Sequence, residues 1–149
     1  MSRAELLEFM RRYKVAVQAS VSASGAPQAA IVGVAFGDDF EVVFDTLETS
    51  RKAQNLRHTP KVALVVGGWG QGEEQTVQYE GVADEPGGSE RDRIRELYFD
   101  VHPDGRERLV NWPGLVHVRV RPTWLRYSDF GQSPEVILEL SENELAALR

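Results

Sequence analysis

The chain has 149 residues, 42% of them hydrophobic and 27% charged, with a formal net charge of −6 and no cysteine. This size and balance suit one globular domain, residues 1–149, with a sizeable core. They exclude a disulfide frame and a thiolate metal site, and they disfavour general nucleic-acid binding by an acidic surface.

No apolar run approaches the roughly 20 residues of a membrane-spanning helix. Met1-Ser2-Arg3-Ala4-Glu5 lacks the basic and apolar layout of a signal peptide, so a cytoplasmic location with no membrane partner is expected. Ser2-x-x-Glu5 reads as a capping box, and Leu6, Phe9, Met10 and Tyr13 share one helical face, which predicts a helix over residues 3–13. Val15, Val17, Ala19 and Val21 alternate as a strand, and Ser22-Ala23-Ser24-Gly25 turns the chain before Pro27. Ala29 to Phe36 is small, apolar and uncharged, which predicts a buried strand. Gly37-Asp38-Asp39 turns into a strand over residues 41–46, and a basic helix follows from about Ser50 to His58, ended by Pro60.

Val62 to Val66 reads as a short buried strand, the glycine-rich stretch 67–72 as a flexible loop, and Gln75 to Ala83 as a further strand. Ser89-x-x-Asp92 is the expected cap of a third helix that buries Ile94, Leu97 and Tyr98 and breaks at His102-Pro103-Asp104-Gly105. Leu115 to Val120 and Thr123 to Ser128 read as two strands, and Val136, Leu138 and Leu140 as a strand or a segment laid across a partner. Ser141-x-x-Glu144 caps a short last helix. The fold class expected from these elements is α+β and mainly β: an antiparallel, Greek-key-like barrel of about six or more strands. A parallel crossover through residues 41–66 is the other reading, disfavoured by its short links.

The basic helix carries the functional signal. Arg51 and Lys52 sit in its first turn, where the helix already presents partial positive charge and unsatisfied N–H groups. Two cations beside a hydroxyl cap make physical sense if an anion docks there. A phosphate would take backbone N–H groups, the Ser50 or Thr49 hydroxyl and charge-assisted bonds from both cations. The plain alternative for the two cations is a solvated helix face, and for Ser50 an ordinary N-cap.

The spacing Thr46-x-x-x-Ser50-Arg51-Lys52, with Asn55-Leu56-x-x-x-Pro60-x-Val62-Ala63-Leu64 after it, resembles the pyridoxamine 5′-phosphate oxidase-like family of flavin-binding split β-barrels. The likeness runs from the first helix to Trp124-Leu125-Arg126-Tyr127. It implies an FMN cofactor, a homodimer with sites at the interface, and an oxidoreductase whose substrate is unassigned. By position, Arg51 and Lys52 would hold the FMN phosphate, and Asp45, Thr46 and Ser50 would border phosphate and ribityl. The strand from Ala30 through Ile31, Val32 and Gly33 to Ala35 would run along the isoalloxazine. Gln75, Thr76 or Gln78 would supply a polar flavin contact, and Trp124 and Arg126 would lie near a C-terminal contact region.

Two departures bear on activity. Where the vitamin B6 oxidases carry an arginine and a substrate-binding lysine on the flavin strand, this chain has Ala30 and Ala35. Their C-terminal Arg-x-His signature is replaced by Arg126-Tyr127-Ser128-Asp129. The resemblance therefore implies the barrel and not B6 oxidation. Relatives that use the deazaflavin F420 or bind haem share much of the pattern, so F420-dependent reduction and non-catalytic flavin sensing are the rival expectations. The tryptophans Trp69, Trp112 and Trp124 read first as packing residues, and His58, His102 and His117 have no metal-ligand spacing. No catalytic residue and no metal site is assigned.

Overall fold

The computed structural model describes residues 1–70 and 73–147. Helix α1 (Arg3–Arg11) opens with both bonds of the Ser2/Glu5 capping box in place. Strands β1 (Val15–Val21), β2 (Pro27–Gly33), β3 (Ala35–Phe36) and β4 (Val42–Leu47) follow, then α2 (Arg51–His58), β5 (Lys61–Gly67) and β6 (Gln75–Asp84). Helices α3 (Gly88–Val101) and α4 (Gly105–Asn111) precede β7 (Leu115–Asp129), β8 (Val136–Leu140) and α5 (Glu142–Ala146). In the expected 67–72 loop, Gln71 and Gly72 lie outside the described residues.

All eight strands form one sheet in the order β2-β1-β5-β6-β7-β4-β3, with β8 on β7. Every pairing is antiparallel, and β5 is separated from β4 by β6 and β7, so the crossover reading is set aside. The sheet curls into a half-barrel. Its concave side is filled by Leu6, Phe9 and Met10 of α1 against Phe44, Val66, Val77, Tyr79, Leu125 and Tyr127. A second, smaller core of Ala35, Val43, Ile94, Tyr98 and Phe99 lies under α3. Strand β4 is thus buried on both faces: Val42, Phe44 and Thr46 on one, Val43 and Asp45 on the other.

Along β1 the even phase faces the core: Ala16, Gln18 and Ser20 are buried, whereas Val15 is 40% exposed. Three expectations need correction. The buried strand over 29–36 is two pieces, broken at Val34, whose N–H bonds Lys14 O instead of a sheet neighbour. Its first piece is an edge strand with Ile31 72% exposed, because none of the described residues packs on that side. Residues 115–128 form one continuous strand, since Pro122, which lacks an N–H, sits where the Glu80/Gly81 bulge interrupts the ladder. Helix α3 is capped by Gly87 backbone and not by Ser89, and α4 was not anticipated.

Candidate binding site at the start of α2

Ser50 is the N-cap of α2, its Oγ accepting the Ala53 N–H at 3.2 Å. The same hydroxyl is 2.8 Å from Thr46 Oγ1, so the end of β4 and the start of α2 are tied together. Arg51 and Lys52 then project over a cavity of about 360 Å³ bounded by Gln18, Ser20, Pro27, Gln28, Ala29 and Ala30. Among the described residues, no carboxylate lines it. In a chain of net charge −6, this is a locally cationic hollow at a helix N-terminus, the arrangement that suits an anion.

The cavity wall is organised by one amide. Gln28 Oε1 accepts from Arg51 Nε at 3.1 Å and from Asn55 Nδ2 at 2.8 Å, and Asn55 Nδ2 also donates to Ser20 Oγ at 3.1 Å. Arg51 is therefore aimed, with its terminal nitrogens left over the hollow. Gln18, opposite Ala30 in the β1–β2 register, is 1% exposed and its Oε1 has no hydrogen-bond partner. A buried amide oxygen without a partner, on a residue that lines the hollow, is a polar group that a ligand could satisfy.

Among the residues singled out from sequence, Ala30, Thr46, Ser50, Arg51 and Lys52 come together here, with Val32 buried one row beyond Ala30. The others do not join them. Asp45 alternates to the far face of β4, where it accepts from Tyr98 Oη at 3.0 Å and from Arg108 Nη2 at 3.1 Å. Ile31 points outward from the sheet. Gly33 abuts α3: a Cβ there would lie 3.1 Å from both Tyr98 Oη and His102 Cε1. Thr76 covers Gly68, whose φ of +87° and close approach admit no side chain. Trp124 donates to Glu139 Oε1 at 2.7 Å and lies four strands from β2, about 19 Å along the sheet.

Asp45 belongs to a second polar cluster beneath α3 and α4. His102 stacks on Tyr98 at 4.6 Å and bonds Val34 O through Nε2 at 3.0 Å, pinning the break between β2 and β3. Burial, then the Asp45 carboxylate, pushes the Tyr98 phenol above its ordinary range. His117, paired with Asp45 across β4 and β7, is 4% exposed with neither ring nitrogen bonded. Burial lowers its pKa to about 4 against the pull of Asp45, and Arg95 and Arg108 reinforce the shift. The cluster is neutral at its histidine and closed by the Arg108–Asp45 ion pair, so it supports the strands and offers no open anion site.

Residues 2–128 match the family model described as Pyridoxamine 5′-phosphate oxidase. The chain belongs to the pyridoxamine 5′-phosphate oxidase family. Solved structures agree on the family's split-barrel fold. A heme-binding protein from Mycobacterium smegmatis superposes with a TM-score of 0.81 at 18% identity, over 99% of this chain and 61% of that one. The chain thus spans under two thirds of that relative's length. The conserved hypothetical protein Rv2991 from Mycobacterium tuberculosis gives 0.72 at 24% identity, covering 87% of this chain and 85% of that one. A pyridoxamine 5′-phosphate oxidase-related, FMN binding protein from Nostoc punctiforme gives 0.69 at 14%, covering 91% and 86%. No curated protein matches the sequence.

Proposed function

We propose that this chain is a flavoprotein that binds FMN through its phosphate at the Ser50 helix and serves as an oxidoreductase of unassigned substrate. The observation that carries the reading is the acid-free hollow under Arg51 and Lys52. A bound flavin supplies the redox chemistry itself. The chain's residues do the binding and orienting: Arg51 and Lys52 neutralise the phosphate, Gln28 holds the Arg51 guanidinium in place, and the methyl of Ala30 leaves room for a flat group against β2. The FMN-binding relative from Nostoc punctiforme supports the same choice.

The site is completed, on this reading, by a second copy of the chain. Val15, Ile31, Val65 and Val82 leave large apolar surface exposed on the convex sheet face, which also bears a groove of about 600 Å³ beside Ala19, Ala63 and Val82. On this reading Trp124, four strands from β2 along the sheet, would reach the cofactor of a partner copy. A closed two-fold homodimer meets both requirements.

Titration of the apoprotein with FMN, followed by flavin fluorescence, tests the assignment. Arg51→Ala with Lys52→Ala removes two charge-assisted contacts of about 1.5–3 kcal/mol each, so binding falls on the order of a hundredfold or more. Unchanged affinity in a folded variant sinks the phosphate site. The likeness to the heme-binding protein from Mycobacterium smegmatis makes haem the natural competitor, and F420 is the other. The absorbance spectrum of cofactor extracted from the purified protein separates all three. Steady turnover with NAD(P)H and an acceptor distinguishes an enzyme from a flavin-binding sensor.

A further inference from the structure

We propose that Gln18 is a ligand-contact residue of this site, reading a hydroxyl of a phosphorylated polyhydroxy chain. The inference rests on the phosphate assignment above and adds a contact one step further into the hollow.

The geometry follows from the β1–β2 register. Ser20 pairs with Gln28, and Gln18 pairs with Ala30. Arg51 bonds Gln28 Oε1, so the cationic end of the hollow lies at the Ser20–Gln28 row. The Gln18–Ala30 row is two residues along, about 7 Å away. That is too far for the phosphate itself and within reach of the first carbons of a chain esterified to it. Its β2 partner in the register is Ala30, whose methyl leaves space beside the amide in the hollow that both residues line.

Gln18 is also out of keeping with its surroundings. Ala16 precedes it on the same face, and Leu64 is its partner on β5. An amide there costs stability, because its buried Oε1 gains no bond within the chain. Asn55 donates to both Ser20 and Gln28, and neither Ser20 nor Asn55 reaches Gln18. The amide turns readily about its last torsion, so it can present its oxygen to an O–H donor or its nitrogen to an acceptor. A polyol hydroxyl accepts either arrangement.

The test compares FMN with inorganic phosphate on the apoprotein, by calorimetry, in Gln18→Leu and in Gln18→Met. Both variants keep the volume and remove the hydrogen bond. The expected result is FMN affinity reduced about tenfold, as for loss of one hydrogen bond, with phosphate affinity unchanged and the apoprotein as stable as wild type or more so. FMN binding equal to wild type in both variants overturns the proposal. An equal loss for FMN and phosphate also overturns it, since Gln18 would then support the cations and not touch the chain beyond them. The double variant at Arg51 and Lys52 tells the two readings apart. If it weakens FMN while the Gln18 variants do not, the phosphate site stands and this contact falls. If wild-type protein binds neither FMN nor phosphate, both fall.

Discussion

Thr46 Oγ1 and Ser50 Oγ lie 2.8 Å apart, joining the last inward residue of β4 to the cap of α2. Ser50 Oγ already accepts from Ala53 N–H. Its single proton can go to Thr46 or to a bound anion, and not to both.

Substitutions at the two positions should therefore separate. Ser50→Ala loses the cap and strands the buried Thr46 hydroxyl, and should lower stability by about 1–2 kcal/mol in urea titration. Thr46→Val removes one hydrogen bond, should cost less than about 1 kcal/mol, and leaves FMN affinity equal where Thr46 is the donor of the pair, or higher where Ser50 donates and its proton is released. Weaker FMN binding in Thr46→Val contradicts the shared-proton account.

His117 makes stability depend on pH. Its folded-state pKa is lowered to about 4 from an ordinary 6.5. Between those values the unfolded chain binds a proton that the folded chain refuses, so stability is full above about pH 6.5 and falls as the pH drops toward 4. The size is on the order of 3 kcal/mol across the window. Replacing His117 with Leu should flatten that part of the profile and raise stability at pH 5. A variant with the same urea midpoints as wild type at pH 5 and pH 7 would show that the imidazole does not carry the dependence.

Pyridoxamine and pyridoxine phosphates should be turned over negligibly, even with the protein saturated in FMN. Ala30 and Ala35 offer no cation to a substrate phosphate, and Ala35 is 1% exposed. A dianion stripped of water without a charged partner binds poorly. Hydrogen peroxide release at about one per second or faster would restore the B6 oxidase reading.

The convex face predicts assembly. Ile31→Glu places a charge at the most exposed point of the apolar β2–β1–β5 surface. Light scattering should give a dimer mass for wild type and a monomer or much weakened dimer for the variant, with the fold unchanged by circular dichroism. A monomeric wild type loaded with cofactor rules the homodimer out.

What the sequence discloses depends on whether the cause is local. The capping boxes at Ser2 and Ser141 and the cap at Ser50 are set within four residues, and each forms as read. Helix α4 has seven residues and no side-chain cap bond, since the Asp104 carboxylate is held by Arg108 instead. Without that helix Arg108 has no place, and its ion pair with Asp45 is not legible in the sequence. Gln18 did leave a signal: a polar residue between Ala16 and Ser20, in the even phase of β1. The odd phase carries the valines, so the alternation alone does not say which phase is the core. Which phase faces inward is a tertiary fact, decided by where α1 and α2 pack.

That phase has a consequence for how the molecule can change. The register pairs 17 with 31 and 65, and 18 with 30 and 64, so residue parity is shared across β1, β2 and β5. Odd positions (Val17, Ile31, Val65) look out from the convex side, and even ones (Gln18, Ala30, Leu64) look in. Neighbouring codons in three strands thus answer to different demands. A replacement at 31 alters what the surface meets, and one at 30 alters what the hollow admits. The inner and outer faces can thus be changed independently, by substitutions a single residue apart.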